Sequence, residues 1–189
     1  ARGEYPHFMA KEIAEQPQAV SSAMRRRVNF EKGVVDLPEL PYTDDEIRLI
    51  DRVILSGMGT SLHSCMYGAQ MIEAVTGIPA QAENASELRY RSTSLNERTL
   101  VISVTQSGET ADTLAAMELA TESSAKQIAL VEAEGTQATL VADGTLYLGA
   151  GQEIGVASTK TMMCSLTVLY QLAVYLGIHR STLSAKRAF

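Results

Sequence analysis

Short runs of β-branched and aliphatic residues alternate with longer helical stretches from about residue 50 onwards. This alternation indicates βαβ units, in which helices connect the strands of a parallel sheet. The predicted strands cover residues 52–56, 79–83, 99–104, 126–131 and 144–148. The predicted helices cover residues 61–76, 86–91, 109–121 and 159–176, and the last should stop at Gly177. The pattern predicts an α/β three-layer sandwich, with a five-stranded parallel sheet flanked by helices.

The N-terminal part of the chain has a different pattern. Apolar residues among charged and small ones predict a helix over residues 7–24, in which Pro17 marks a kink or a restart. Residues 29–45 are interpreted as an irregular connector that ends with Thr43 as a helix N-cap. The predicted organisation is a helical arm and connector over 1–45, a domain over 46–180 and a tail over 181–189.

Composition and charge narrow the class of protein. The chain has 189 residues, of which 46% are hydrophobic, and a formal net charge of −6. Only 5% of its residues are aromatic, and a nucleic-acid surface would need a basic face with stacking aromatics. No apolar run approaches the roughly 18 residues of a membrane span, and no signal peptide is visible. We therefore expect a cytoplasmic protein that binds neither nucleic acid nor membrane.

Two smaller features have simple interpretations. Residues 25–27 are the only basic run, and we interpret them as a solvated helix face. The cysteines, Cys65 and Cys164, lie inside apolar runs and lack the spacing of a zinc site. We expect both to be reduced, buried and inert.

Three loops that leave predicted strands share glycine and hydroxyl residues, and each opens a helix: 57–61, 105–110 and 154–159. In open parallel sheets, ligands bind outside the carboxyl ends of the strands. Glycine lets backbone N–H groups approach a ligand, and a helix N-terminus adds unpaired donors. Together the loops predict a cradle for a phosphate group. Taken singly, each could be an ordinary helix cap, because Ser and Thr are common N-caps.

Other chemistries fit less well. Gly57 and Gly59 form a G-x-G, but Leu62 replaces the third glycine of the dinucleotide-binding motif. Ser107 does not lie in a nucleophile elbow. No catalytic residue, metal site or cofactor is predicted; the three histidines that are too scattered for a metal site are His7, His63 and His179.

Two titratable residues near the loops have structural interpretations, although a functional role stays open for each. His63, early in the first domain helix, is interpreted as a structural histidine. Glu109 is interpreted as a residue of the first helical turn, where a carboxylate suits the helix dipole.

Several stretches resemble one family, the isomerising glutamine:fructose-6-phosphate aminotransferases, also called glucosamine-6-phosphate synthases. The stretches include HFMAKEI in the arm, ASELRYR, QSGETADTL and EIGVASTK. They resemble the first sugar isomerase (SIS) subdomain of the family's isomerase half, over about residues 5–176. QSGET alone would fit many SIS proteins, whereas the arm and EIGVASTK are specific to the synthase. Thr105 stands where the family usually has Ser, and Met58 where it usually has Cys.

The resemblance implies a binding site for fructose 6-phosphate and glucosamine 6-phosphate. Val156 and Ser158 would approach the sugar. The implied phosphate ligands are Ser61, Thr105, Gln106, Ser107 and Thr110, with Thr60 beside them.

The resemblance also implies a larger parent enzyme, which converts fructose 6-phosphate and glutamine to glucosamine 6-phosphate and glutamate. The family's acid/base Glu, ring-opening His and Schiff-base Lys belong to a second SIS subdomain and the C-terminal tail. Lys160 is not assumed to replace that lysine, so this chain alone is expected to bind the phosphosugar without catalysis. The implied partners are the second SIS subdomain, a glutaminase domain and a second copy in a homodimer. The alternatives are a stand-alone SIS module that senses a phosphosugar and a one-domain homodimeric phosphosugar isomerase.

Overall fold

A computed structural model describes residues 2–91 and 94–183 of the chain, so the predicted tail lies outside the described residues beyond 183. The first elements are α1 (Phe8–Met24), β1 (Val28–Asn29), β2 (Val34–Val35) and α2 (Asp44–Leu49). α1 continues through Pro17, so no second helix starts there. Pro17 is exposed, which lets water pair with the carbonyl that a proline leaves without its helical donor. The antiparallel β1–β2 pair was not predicted, because two-residue strands show no periodicity.

The five-stranded sheet is parallel throughout, as predicted. Its strand order is β4-β3-β5-β6-β7. The strands are β3 (Arg52–Gly57), β4 (Ala80–Asn84), β5 (Thr99–Val104), β6 (Lys126–Val131) and β7 (Gly144–Tyr147). β3 and β5 are neighbours inside the sheet, and both are completely or almost completely buried.

Helices cover both faces of the sheet. They are α3 (Thr60–Thr76), α4 (Ala85–Leu88), α5 (Ala111–Glu122), α6 (Gln137–Val141) and α7 (Lys160–His179). α1, α3 and α7 pack over one face, and α4, α5 and α6 pack over the other. Neighbouring residues of β3 show this division, since Leu55 belongs to the larger core and Ile54 to the cluster under α4.

The end of α7 corrects one prediction. The helix does not stop at Gly177 but continues to His179. Gly177 is buried, and a Cβ added there would lie 2.7 Å from a methyl carbon of Val75. The glycine therefore permits close packing and does not form a left-handed cap. α6 was not predicted, because its five residues are too few to show a helical period.

α7 is also long and apolar enough to cross a membrane by length and composition, with a mean hydropathy of 1.5 over its most apolar window. However, 67% of that window is buried inside the molecule, where α7 packs against α1 and α3. Burial of this extent is typical of a core helix.

The structure confirms the predicted burial of the two cysteines and corrects the interpretation of the basic run 25–27. Cys65 and Cys164 are free and completely buried, as predicted, and burial raises the pKa of each thiol to about 12. The interpretation of residues 25–27 as a solvated helix face is wrong, because the run follows the end of α1 and Arg27 is only 8% exposed. α1 ends at Met24, so Arg27 turns inwards and donates to Glu39 Oε1 and to the backbone oxygen of Tyr147.

Thr43 is the N-cap of α2, as predicted. Its hydroxyl accepts a hydrogen bond from the N–H of Glu46 at 3.3 Å, and Glu46 Oε2 accepts one from the N–H of Thr43 at 2.9 Å. This is a capping box. The hydrogen bond from Thr43 and the one from Lys126 lower the pKa of Glu46 from 4.5 to about 2.

This lowered pKa predicts acid sensitivity. The folded state releases the Glu46 proton more readily than the unfolded state, so the stabilisation is full above pH 4.5 and is lost as the pH falls towards about 2. We expect Glu46→Gln to lower the free energy of unfolding near neutral pH and to flatten its decline in acid. Urea denaturation at several pH values measures this. The control is Glu73→Gln, a substitution at an exposed glutamate of α3. A Glu46→Gln profile parallel to the wild-type profile would contradict the prediction.

Candidate functional site

A small cleft of about 170 Å³ opens beyond the carboxyl ends of β3 and β5. Parts of all three predicted loops meet there, together with the first turns of α3 and α7. The lining residues are Met58, Thr60, Ser61, Ser64, Gln106, Ser158, Thr161, Met162 and Ser165. Of the predicted site residues, the structure therefore brings four into the cleft: Thr60, Ser61, Gln106 and Ser158.

The first loop joins β3 to α3 by a close approach of backbone to backbone. A Cβ added at Gly57 would lie 3.0 Å from the carbonyl carbon of Ser61, so glycine lets the helix start beside the strand end. Gly59 precedes the helix with a φ of +53°, and no side chain caps α3. The positive end of the α3 dipole therefore faces the cleft without a carboxylate to neutralise it.

The second loop is held in shape by hydroxyl groups. Thr105 is 4% exposed; its Oγ1 lies 3.3 Å from Thr110 Oγ1 and accepts from the N–H of Gly108 at 3.3 Å. Ser107 is exposed, and its Oγ accepts from the N–H of Glu109 at 3.2 Å. Gln106 reaches the cleft, where Nε2 lies 3.5 Å from Thr161 Oγ1. Thr105, Ser107 and Thr110 thus belong to the loop but do not line the cleft.

The third loop runs from β7 at the sheet edge back to α7. Glu153 holds its second half by accepting hydrogen bonds from the Ser158 hydroxyl at 3.0 Å and the Thr159 N–H at 2.9 Å. It also accepts from the Thr161 N–H at 3.3 Å, at the start of α7. Partial burial raises the pKa of Glu153, but these hydrogen bonds prevail and the pKa lies below its ordinary value. Val156 is fully exposed and does not line the cleft.

Arm residues also contact this loop. Glu12 is 2% exposed and accepts hydrogen bonds from the N–H groups of Ile154 and Gly155. Lys160 Nζ, at the start of α7, lies 2.8 Å from Glu15 Oε2. This hydrogen bond is the largest cause of the lowered pKa of Glu15. The ammonium group of Lys160 is therefore paired with a carboxylate of the arm.

Glu109 and His63 lie apart from the cleft. Glu109 precedes α5, which begins only at Ala111, so its predicted place in the first turn of that helix is wrong. Its Oε1 instead accepts from the N–H of Gln137, the first residue of α6, at 2.9 Å. His63 is exposed and does not line the cleft. Across residues 2–91 and 94–183, no three His, Cys, Asp or Glu side chains cluster closely enough to hold a metal ion.

The chemistry of the cleft follows from its lining, which consists of hydroxyls, one amide and two methionines. None of these side chains carries a charge. A bound anion would be held by neutral donors and by the start of α3, as in other helix N-terminal anion sites. Three lining hydroxyls were missed by the sequence analysis: Ser64, Thr161 and Ser165. Helical spacing was a usable signal for two of them, because Ser64 follows Thr60 by four residues in α3 and Ser165 follows Thr161 by four residues in α7.

Comparisons with known proteins agree with this architecture. The model of the SIS domain family matches residues 46–175. The chain is 45% identical over 177 residues to an isomerizing glutamine–fructose-6-phosphate aminotransferase of Pyrococcus horikoshii, covering 93% of this chain and 28% of that protein. It is 42% identical over 181 residues to the protein of the same description from Mycolicibacterium paratuberculosis, covering 96% and 29%.

A solved structure is similar along the whole chain. It is the C-terminal domain of glucosamine-fructose-6-phosphate aminotransferase from Francisella tularensis, with a TM-score of 0.91 and 28% identity. The superposition covers 100% of this chain and 52% of that one. The chain thus spans under a third of the two relatives above and about half of this structure.

Proposed function

Because the chain belongs to the SIS domain family, we propose that it binds a sugar phosphate in the cleft beyond β3 and β5. It is homologous to the isomerase part of glutamine–fructose-6-phosphate aminotransferase. Within that part we assign it to the first SIS subdomain. The observation that carries the proposal is the cleft itself, which is lined by uncharged hydroxyl groups and lies at the uncapped N-terminus of α3. Hydroxyl groups and free backbone N–H groups can bind an anion without a charged side chain.

The proposed ligands divide between the two ends of the substrate. Thr60 and Ser61, at the start of α3, and Gln106, in the second loop, line the cleft and would contact the phosphate. Ser158, in the third loop, would contact the sugar, with Val156 beside it. The remaining phosphate ligands implied by the resemblance are Thr105, Ser107 and Thr110, which belong to the second loop.

We further propose that this chain acts within a larger cytoplasmic enzyme that makes glucosamine 6-phosphate from fructose 6-phosphate and glutamine. Moving a carbonyl between neighbouring carbons needs a positioned base. Within the described residues, the cleft is lined by no carboxylate or histidine, and Glu109, which lies apart from the cleft, accepts a hydrogen bond from α6. A second SIS subdomain, a glutaminase domain and a homodimeric partner would complete the enzyme, and this chain alone would bind without catalysis.

The proposal predicts a clear preference for phosphorylated sugars. We expect fructose 6-phosphate and glucosamine 6-phosphate to bind, and fructose and glucosamine to show no measurable binding, because the phosphate supplies the anion that the cleft is built to hold. Isothermal titration calorimetry with the four compounds measures this. Equal affinity for fructose and its phosphate would contradict the proposal.

Removal of a serine hydroxyl that contacts the phosphate should weaken the binding of fructose 6-phosphate. We expect Ser61→Ala and Ser107→Ala each to weaken the binding free energy of fructose 6-phosphate by about 1–3 kcal/mol, the range for lost hydrogen bonds to charged groups and for buried partners left unpaired. Ser21→Ala, at an exposed position of α1, is the matched control and should leave binding unchanged. Calorimetry gives the affinities and thermal denaturation the stabilities. A lower melting temperature with unchanged affinity would mean that these hydroxyls only shape the loops.

A further inference from the structure

We propose that Glu12 is a positioning residue, which holds the third loop so that Ser158 faces the sugar. This inference rests on the proposed function. Glu12 does not line the cleft, and it would act through the loop that it holds.

The contact itself is short and buried. Glu12 Oε1 accepts the N–H of Ile154 at 2.6 Å, and both carboxylate oxygens lie within 3.2 Å of the nitrogen of Gly155. Only 2% of Glu12 is exposed. A buried carboxylate is costly unless hydrogen bonds satisfy it, and backbone N–H groups that meet an ionised oxygen form strong bonds. The two N–H groups of the loop thus supply what this carboxylate needs.

The third loop has a glycine, Gly155, at the point where the Glu12 carboxylate approaches it. A Cβ added at Gly155 would lie 2.6 Å from Glu12 Oε2, closer than any ordinary contact. Gly155 is not among the glycines with a positive φ, so the requirement is one of space and not of backbone conformation. A side chain at this position would displace the carboxylate or the loop.

The contact lies next to the residue that it would position. Gly155 is three residues before Ser158, whose hydroxyl is held by Glu153 and lines the cleft. Glu12 fixes the first half of the loop, and Glu153 fixes the second. The phosphate end of the cleft belongs to α3 and the second loop, whereas the hydrogen bonds of Glu12 go to the third loop. Loss of Glu12 should therefore affect the sugar end selectively.

The test compares two ligands on variants that disturb the contact from opposite sides. Glu12→Gln keeps the shape of the side chain and removes its charge, whereas Gly155→Ala fills the space that the carboxylate needs. We expect each to weaken fructose 6-phosphate binding about tenfold, which is the loss of roughly one charge-assisted hydrogen bond. Inorganic phosphate should bind within about twofold of the wild-type affinity. Glu73→Gln is the control and should change neither affinity.

Each outcome has a distinct meaning. The double variant should be no weaker than the stronger single variant, because both act on one contact. Unchanged fructose 6-phosphate affinity in both single variants would overturn the role of Glu12 and leave the proposed function intact. An equal loss of affinity for fructose 6-phosphate and for inorganic phosphate in both variants would also overturn the role of Glu12, because a general structural defect has that effect. If the wild-type chain binds inorganic phosphate but not fructose 6-phosphate, the proposed function fails, and this inference fails with it.

Discussion

Gly108→Ala is expected to lower the free energy of unfolding by about 2–5 kcal/mol, from two additive causes. Gly108 has a φ of +69°, in the left-handed region that costs other residues about 1–2 kcal/mol. The added Cβ would lie 2.0 Å from Thr136 Oγ1, and overpacking of a tight site costs about 1–3 kcal/mol. Urea denaturation measures the change.

Gly135→Ala separates the two causes. Gly135 has almost the same φ, +68°, but a Cβ there would have no neighbour within 4 Å. Its substitution should cost only the backbone term of about 1–2 kcal/mol. Gly108 lies in the second loop beside Ser107, so its variant should also lose phosphosugar affinity, whereas the Gly135 variant should not. Equal destabilisation by the two variants would show that Thr136 moves aside and that the close approach is unimportant.

Leu169→Ala should destabilise the fold by about 2–5 kcal/mol, the usual cost of a cavity left by a buried leucine. Leu169 is completely buried in α7. It packs where α3 approaches α7, since a Cβ added at Gly68 would lie 2.8 Å from Leu169 Cδ1. The larger side chain thus fills the space beside a glycine on the neighbouring helix.

The matched control is Leu140→Ala. Leu140 lies in α6 and is 73% exposed, so its truncation should change the free energy of unfolding by less than about 0.5 kcal/mol. Urea denaturation of the three proteins gives both differences. A loss below about 1 kcal/mol for Leu169→Ala would mean that α7 relaxes into the cavity, and the close packing of α3 on α7 would then contribute little.

The sheet could be predicted from sequence because its three inner strands, β3, β5 and β6, are dense in aliphatic residues and bounded by glycine or polar residues. All five strands lie within one or two residues of their predicted bounds. The errors have physical causes. Glycine can end a helix or permit close packing, and only the neighbouring Val75 shows that Gly177 does the second. An arginine in a basic run is normally exposed to solvent, and the sequence does not show that Arg27 has partners in Glu39 and the Tyr147 carbonyl.

The candidate site was predictable in outline because the topology of a parallel sheet brings strand ends together. Which hydroxyls face the cleft was not, because Thr105 is turned into its own loop by Thr110 and Gly108. Glu12 gave no signal of its role in the sequence. An acid in an amphipathic helix normally faces solvent, and the loop that buries Glu12 is far away along the chain.

That distance has a consequence for the order in which the protein forms. The carboxylate of Glu12 meets N–H groups supplied 142 and 143 residues later. Contacts between such distant positions require the closure of a long stretch of chain, whose entropy must be met before the contact is gained. During synthesis the arm leaves the ribosome long before the loop that it holds. The hydrogen bonds between Glu12 and the third loop therefore form only after nearly the whole described chain has been made, so they are among the last contacts that the growing chain can gain.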